Sequence, residues 1–305
     1  MKIKELGEFG FIDLIAKMTK PSSGVIKGIG DDCAVLPFNR SNYLLFTCDM
    51  LVEDVDFTSR DKPYLIGRKS LGVCLSDIAA CGGTPCYAQV SLGLPEDTSS
   101  KRAVELYQGI ISQAKQFEVK IVGGDVSRSE KLVINVSLLG LVKHKDLILR
   151  KGAREGDVIF VSGSLGGSIY GKHLTFTPRL KEVKYIVNNY KPNSMIDISD
   201  GLIQDLSHIL KQSNKGAVVF QELVPVSASA RKLEEALYMG EDFELLFTLG
   251  LSQARRLIKS KKNKQFTAIG SIIDKPRSLV LFNRQGKRIN FNPDKMSSVK
   301  GYKHF

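Results

Sequence analysis

Apolar positions along the chain follow two periods, and the periods alternate. The runs YLLFTCD at 43–49, AQVSLGL at 88–94, LVINVSLLGLV at 132–142 and DVIFVSG at 157–163 are short and rich in β-branched and aromatic residues, and they predict strands. Helical spacing lies between them. After Pro63 the segment YLIGRKSLGVCLSDIAA reads as a helix that begins on a proline and stops at Gly82-Gly83, and a second helix spans about Lys101 to Phe117. The later chain repeats the mixed order: a strand at 157–161, a helix at about 180–189, strand MIDIS, a helix after Gly201, strand FELLFTL, a helix at 251–262 and a hairpin through NRQGK.

A chain of 305 residues exceeds the size at which a single core usually stops growing, so two domains are expected. The polar, turn-rich HKDLILRKGAREGD stretch after Val142 marks the boundary and divides the chain into 1–145 and 146–305. The element order gives a mixed α/β class, with an α/β first half and an α+β second half.

Composition removes several alternatives. A hydrophobic fraction of 43% and a charged fraction of 25% are those of an ordinary globular chain. No apolar run is long enough to cross a bilayer and the N-terminus does not read as a signal peptide, so a cytoplasmic protein without membrane partners is expected. The five cysteines include no CxxC pair, which argues against a disulfide framework or a zinc knot. The net charge of +12 is a C-terminal property: residues 251–305 hold 14 Lys and Arg against only Asp274 and Asp294, while acids and bases cancel before residue 251. In LSQARRLIKSKKNK the apolar positions recur at helical spacing and no aromatic residue interleaves with the bases. A solvated helix face is therefore preferred to a nucleic-acid site.

The acids in apolar or glycine-rich settings carry the chemistry. They lie in GIGDDCAVL (Asp31, Asp32), TCDMLVEDVDF (Asp49, Asp54, Asp56), LSDIAACGG (Asp77), IVGGDVSRS (Asp125), MIDISDGL (Asp197, Asp200) and GEDFELLF (Glu241, Asp242). Asp49 and Asp125 are read as ending apolar strands, where side chains line sites. Asp77 sits late in its helix, where the macrodipole disfavours a carboxylate and a cation is needed. In MIDIS, Asp197 and Ser199 share a face, and Asp200 is placed to cap the helix beginning at Gly201. Carboxylates about 4 Å apart repel by roughly 4 kcal/mol at an effective dielectric of 20, so convergence requires cations. Oxygen-only ligands select magnesium or another hard ion over zinc, and several magnesium ions beside glycine-rich backbone suggest a polyphosphate. Singly, each aspartate reads more readily as a cap or turn residue than as a catalytic one.

Other motifs add little. GGSIYGKH, residues 166–173, has P-loop spacing but ends in His173 where a hydroxyl should stand, and it is read as a decoy. The four histidines lie apart from the acid motifs in sequence, so a Ser/His/Asp hydrolase has little support.

Taken together, GIGDDCAVL, TCD, LSDIAACGGTP, IVGGD, LRKGAREGD, IDISDGL, GEDFEL and the closing GYKHF resemble the thiamine-monophosphate kinase family, within the superfamily of aminoimidazole ribonucleotide synthetase and selenophosphate synthetase. The resemblance runs nearly end to end. It implies an N-terminal α/β domain with a dimer-forming sheet, a C-terminal α+β domain completing the active site, a homodimer, and ATP and thiamine monophosphate as substrates. It implies magnesium at Asp32, Asp49, Asp77, Asp125, Asp197 and Asp200, with Thr47 and the Cys48 position contributing. It implies ATP contacts at Tyr107, Gly124, Asp125, Arg150 and Ser199, and thiamine monophosphate positions at Asp56, Glu241 and Val299. Relative to the family, Cys48 replaces a hydroxyl residue, Asp56 a common His and Val299 an aromatic ring, and the stretch from about 164 to 180 is shortened. Two other readings remain at this point: another ATP-using member of the superfamily, and a non-catalytic nucleic-acid or regulatory module that uses the basic C-terminal region.

Overall fold

Each half of the chain closes its own sheet. The computed structural model describes residues 3–19, 23–260 and 263–292. After α1 (Ile3–Met18), the strands β1 (Ala34–Pro37), β2 (Asn42–Val52), β3 (Thr84–Leu94), β4 (Lys120–Arg128) and β5 (Val133–Lys143) form a sheet in the order β1-β2-β5-β3-β4. Neighbours are antiparallel except β3 and β4, which run parallel. A parallel pair needs a crossover, and α3 (Ser100–Gln116) supplies it. On β5 burial alternates, with Ile134, Val136 and Leu138 turned into the core that includes Ile66, Leu71 and Leu75 of α2 (Pro63–Ala80). Phe46, Met50 and Tyr87 of the same sheet are exposed.

The second sheet has the order β12-β11-β8-β10-β6-β9-β7. Its strands are β6 (Val158–Ser162), β7 (Ser194–Asp197), β8 (Gly216–Phe220), β9 (Leu245–Leu249), β10 (Phe266–Ile273), β11 (Leu279–Phe282) and β12 (Arg288–Phe291). Helices α4 (Lys172–Thr175), α5 (Leu180–Asn189), α6 (Leu202–Ser213), α7 (Leu233–Tyr238) and α8 (Leu251–Ile258) complete this half. Period two divides its strands between two cores: Ile159 and Val161 pack with Leu206 of α6 and Leu237 of α7, while Phe160 packs with Ile186 of α5 and Leu257 of α8. Ala79 of α2 joins the second of these cores. A helix covered on several sides should be apolar around most of its circumference, and α2 is, with Ile66, Leu71, Val73, Cys74, Leu75 and Ile78 all buried.

The expected helices after Pro63, near 101–117, near 180–189 and after Gly201 are present, and β11 and β12 form the expected hairpin, with Gly286 at φ 72° in its turn. Strands β2 and β3 run longer than the apolar runs that predict them. Asp49 and Asp125 lie inside β2 and β4 rather than at strand ends, because β2 pairs with β5 along its whole length and β4 pairs with β3 from Lys120 to Arg128. The basic helix ends at Ile258, short of 262. Among the described residues no helix is long and apolar enough to cross a membrane.

Helices α2 and α3 touch backbone to backbone. A Cβ on Gly67 would lie 1.9 Å from the Leu106 carbonyl oxygen, and one on Gly109 would lie 1.9 Å from that of Tyr64. Either glycine changed to alanine must push α2 and α3 apart. Gly109→Ala is expected to cost about 1–3 kcal/mol of unfolding free energy in urea titration, against a few tenths for an exposed α3 substitution such as Val104→Ala.

Candidate active site

Three acids far apart in sequence meet against α2. Asp32 comes from the loop before β1, Asp77 from the last turn of α2 and Asp197 from the end of β7, and one carboxylate oxygen of each lies within 4.8 Å of the others. Neighbours orient all three. The Thr47 hydroxyl of β2 donates to Asp77, and Ser76 Oγ donates to Asp197 at 2.6 Å. Arg150 grips Asp32 Oδ1 through Nε at 3.1 Å and Nη2 at 2.7 Å. The other Asp32 oxygen, Oδ2, is buried with no hydrogen-bond partner. A cavity of ≈ 780 Å³ opens on this cluster and is also lined by Asp31, Cys48, Asp49, Lys151, Ser199, Asp200 and His208, with Glu8, Phe9, Ile12 and Asp13 of α1 along one side.

Burial and mutual repulsion make this group resist ionisation. Burial pushes Asp77 well above the usual carboxylate range, and the charges of Asp49, Asp197 and Asp32 push it further. Asp197 is raised to about 8, first by burial and then by Asp32. Asp32 is raised by burial in spite of Arg150, and Asp31 rises to about 6 through burial and its neighbour Asp32. Burial works against the charge on Arg150, but contact with Asp32 outweighs it and keeps the guanidinium firmly protonated. At 4.8 Å each ionised pair would repel by about 3 kcal/mol at an effective dielectric of 20. One arginine on one edge does not offset three carboxylates. The donor set is all oxygen, it is pre-oriented by Thr47 and Ser76, and it leaves a buried carboxylate oxygen unpaired; these features fit magnesium.

The sequence-derived residues do not all meet in one place. Asp32, Thr47, Asp49, Asp77, Arg150, Asp197, Ser199 and Asp200 share the cavity. Cys48 also lines it, but its thiol accepts a hydrogen bond from Asn135 Nδ2 on the exposed side of the sheet, as strand alternation between Thr47 and Asp49 requires. Tyr107, Gly124 and Asp125 are not in its lining. Tyr107 packs on the N-terminal core, and Gly124 is matched through Val90 and Val136 to Asp49, three strand spacings or about 14 Å away across the sheet. A Cβ on Gly124 would lie 1.8 Å from the Val90 carbonyl oxygen, so close strand approach accounts for this glycine. Asp56 and Glu241 form a separate buried cluster with Lys69. Val299 and the closing GYKHF lie outside the described residues.

Local chemistry departs from the sequence reading at three points. The acid seen to hold the start of the following helix is Asp205, inside α6, which reaches back to accept from the backbone N–H groups of Asp200 and Gly201, both at 3.1 Å. His208, distant from the acid motifs in sequence, lines their cavity, and burial with Arg150 and Lys211 nearby lowers it to about 3, so it stays neutral. The P-loop-like run cradles an internal carboxylate instead of a phosphate: Gly166 N and Ser168 Oγ donate to Asp242, and Lys172 is occupied by Ser164 O and Glu244. Lys69, Ser76 and Asp205 are site residues with no signal in local motif spacing, because each acts through a partner more than one secondary-structure element away or through a backbone reach within its own helix turn.

Proton linkage gives a test of the cluster. Between the ordinary Asp value of 3.8 and about 8 the folded chain holds a proton on Asp197 that the unfolded chain has released, so stability falls as pH rises through that window. The Tm in EDTA should therefore drop between pH 5 and pH 8, and magnesium should reduce the drop by neutralising the ionised cluster. Asp197→Asn should flatten the EDTA slope; an unchanged slope in that variant would show that the cluster does not control it.

Residues 30–142 match the family described as AIR synthase related protein, N-terminal domain. The thiamine-monophosphate kinase of Rhodopirellula baltica is 34% identical over 87% of this chain and 89% of its own length, and that of Aquifex aeolicus is 37% identical over 81% and 87%. The solved structure of AaThiL complexed with AMPPCP and TMP superposes with a TM-score of 0.85 at 33% identity, covering 100% of this chain and 99% of the other. Full-length similarity at this level agrees with the acid cluster and the two-sheet architecture, and the chain belongs to the thiamine-monophosphate kinase family.

Proposed function

We propose that this protein is a kinase that transfers a phosphoryl group from ATP to the phosphate of thiamine monophosphate, giving ADP and thiamine diphosphate. The observation that carries the reading is the meeting of Asp32, Asp77 and Asp197 in one buried place beside Arg150. Family membership adds the substrate pair, since the similar AaThiL structure holds AMPPCP and TMP. The first domain, 1–145, would supply most of the metal-binding acids and the second, 146–305, would complete the site.

Several magnesium ions would be held by Asp32, Asp49, Asp77, Asp197 and Asp200, with Thr47 and the Cys48 position in the middle of β2, and Asp125 as a further ligand. When bound, magnesium would offset the charge on two facing phosphate groups. Arg150, kept protonated by Asp32, would take up negative charge on ATP, and Ser199 would contact the nucleotide beside it, with Tyr107 and Gly124 as further nucleotide contacts. The acceptor phosphate has a second pKa of about 6 and is already largely dianionic at neutral pH, so no general base is required. Neutral His208 is compatible with that assignment. Transfer would proceed in line, with catalysis coming from alignment and charge compensation.

The exposed apolar side chains Phe46, Met50 and Tyr87 on the first sheet support a homodimer formed through that face. A nucleic-acid role for the basic helix is disfavoured, because Arg256 donates to Asn189 O at 3.2 Å and lies over the Tyr190 ring.

Purified protein given ATP, magnesium and thiamine monophosphate should form ADP and thiamine diphosphate in equal amounts. Asp77→Asn and Asp200→Asn should each lower kcat by about a hundredfold or more, while Arg255→Ala and Lys259→Ala should leave it within about twofold. Absence of turnover in folded protein would remove the kinase reading. Light scattering should report a dimer, and Met50→Asp with Tyr87→Asp should shift it to monomer.

A further inference from the structure

The turn that carries Glu241 is held in a conformation it would not adopt alone. Gly240, Glu241 and Phe243 have φ values of 72°, 59° and 49°, all in the left-handed region that residues with a Cβ avoid. Two backbone hydrogen bonds tie this turn to the loop after β7, from Glu241 N to Ser199 O at 2.7 Å and from Phe243 N to Ile198 O at 2.8 Å. A third tie comes from the other half of the chain. Lys69 on α2, with its side chain at 0% exposure, donates from Nζ to the Glu241 carboxylate and to the backbone oxygen of Asp56 at 2.8 Å. Asp56 in turn accepts from Val52 N at 2.8 Å and closes the 52–56 turn. One buried ammonium thus joins two segments that are 185 residues apart in the chain and bear the two described positions assigned to the acceptor.

Burying an ammonium costs several kcal/mol unless its partners are well placed, so this contact is a demanding way to achieve adhesion alone. Its position along α2 gives it a second consequence. Lys69 and Ser76 are seven residues apart, two helical turns, and therefore project from one face. Ser76 donates to Asp197 in the acid cluster, and Asp77 follows it. The same helix face therefore holds Glu241 at one end and the cluster at the other, about 10 Å apart along the axis at 1.5 Å per residue.

We infer that Lys69 is a positioning residue for the phosphoryl acceptor: it holds Glu241 and the 52–56 turn at a fixed spacing along α2 from the acid cluster. The inference rests on the thiamine monophosphate reading. The thiazolium ring of that substrate is cationic, so the carboxylate of Glu241 is the group suited to face it. Lys69, fully enclosed, acts through Glu241 and does not touch the acceptor. The organic part of the acceptor is then seated so that its phosphate reaches the cluster.

Steady-state kinetics and calorimetry on the full chain separate this role from a structural one. Lys69→Met removes the ammonium while keeping much of the volume; it should raise KM for thiamine monophosphate about tenfold or more, with kcat and the KM for ATP within about threefold. Glu241→Gln should raise the same KM, and the double variant Lys69→Met/Glu241→Gln should be no worse than Glu241→Gln alone, since one residue works through the other. Magnesium-ATP binding by calorimetry reports whether each variant is folded. If Lys69→Met fails to fold, the double variant, which buries no unpaired charge, carries the test: a KM for thiamine monophosphate well above that of Glu241→Gln overturns the inference. It is also overturned if Lys69→Met leaves that KM unchanged, if both substrates are affected alike, or if the two effects add. Wild-type protein that binds magnesium-ATP but neither binds nor phosphorylates thiamine monophosphate overturns the function reading itself, and this inference with it.

Discussion

Like charges gathered in a buried place are the constraint around which this structure is arranged. Asp32, Asp77 and Asp197 come from a loop, a helix end and a strand end, and their oxygens lie within 4.8 Å of each other. Alone, that arrangement is unfavourable, which is why burial and mutual repulsion raise Asp77 and Asp197. It persists because the surrounding fold is over-determined. α2 is packed against α3 through glycines that leave the backbones in contact, against the first sheet, and through Ala79 against the core of the second half. Destabilisation at the site is balanced by packing elsewhere, the usual relation between stability and function.

α2 has a further part in this economy of positions. It presents Ser76 and Asp77 to the cluster and Lys69 to the Glu241 turn, so a single rigid element relates the two ends of the site. The backbone bond from Glu241 to Ser199 closes the loop from the other side. Polar contacts inside a core are favourable only when every partner is satisfied, and here they specify how the two halves of the chain are set against each other.

Much of the fold was legible because punctuation and period agree. Pro63 and Gly82-Gly83 bracket α2, alternation marks β5, and the NRQGK turn marks the hairpin. Strand ends were less legible: Thr47 and Asp49 interrupt the apolar run, yet pairing with β5 carries β2 on to Val52. The acids of the cluster were visible as charges in apolar settings, but their partners were not. Lys69 looks like any helix lysine until Glu241 is found beside it, and Asp205 looks like a solvent-facing acid until it reaches back to the backbone of Asp200. The glycine run at 166–173 shows the reverse error that motif reading invites, because its donors serve Asp242. Tertiary contact decides the lysine and the glycine run, and a reach across one helix turn decides Asp205.

The central claim is that the buried carboxylates exist to hold divalent ions against a polyphosphate. Anomalous diffraction from crystals grown with manganese in place of magnesium and a non-hydrolysable ATP analogue tests it most directly. The account predicts strong manganese peaks among Asp32, Asp77 and Asp197, with the analogue's phosphates next to Arg150. Bound nucleotide with no anomalous peak at that cluster, or with peaks only elsewhere, would contradict it.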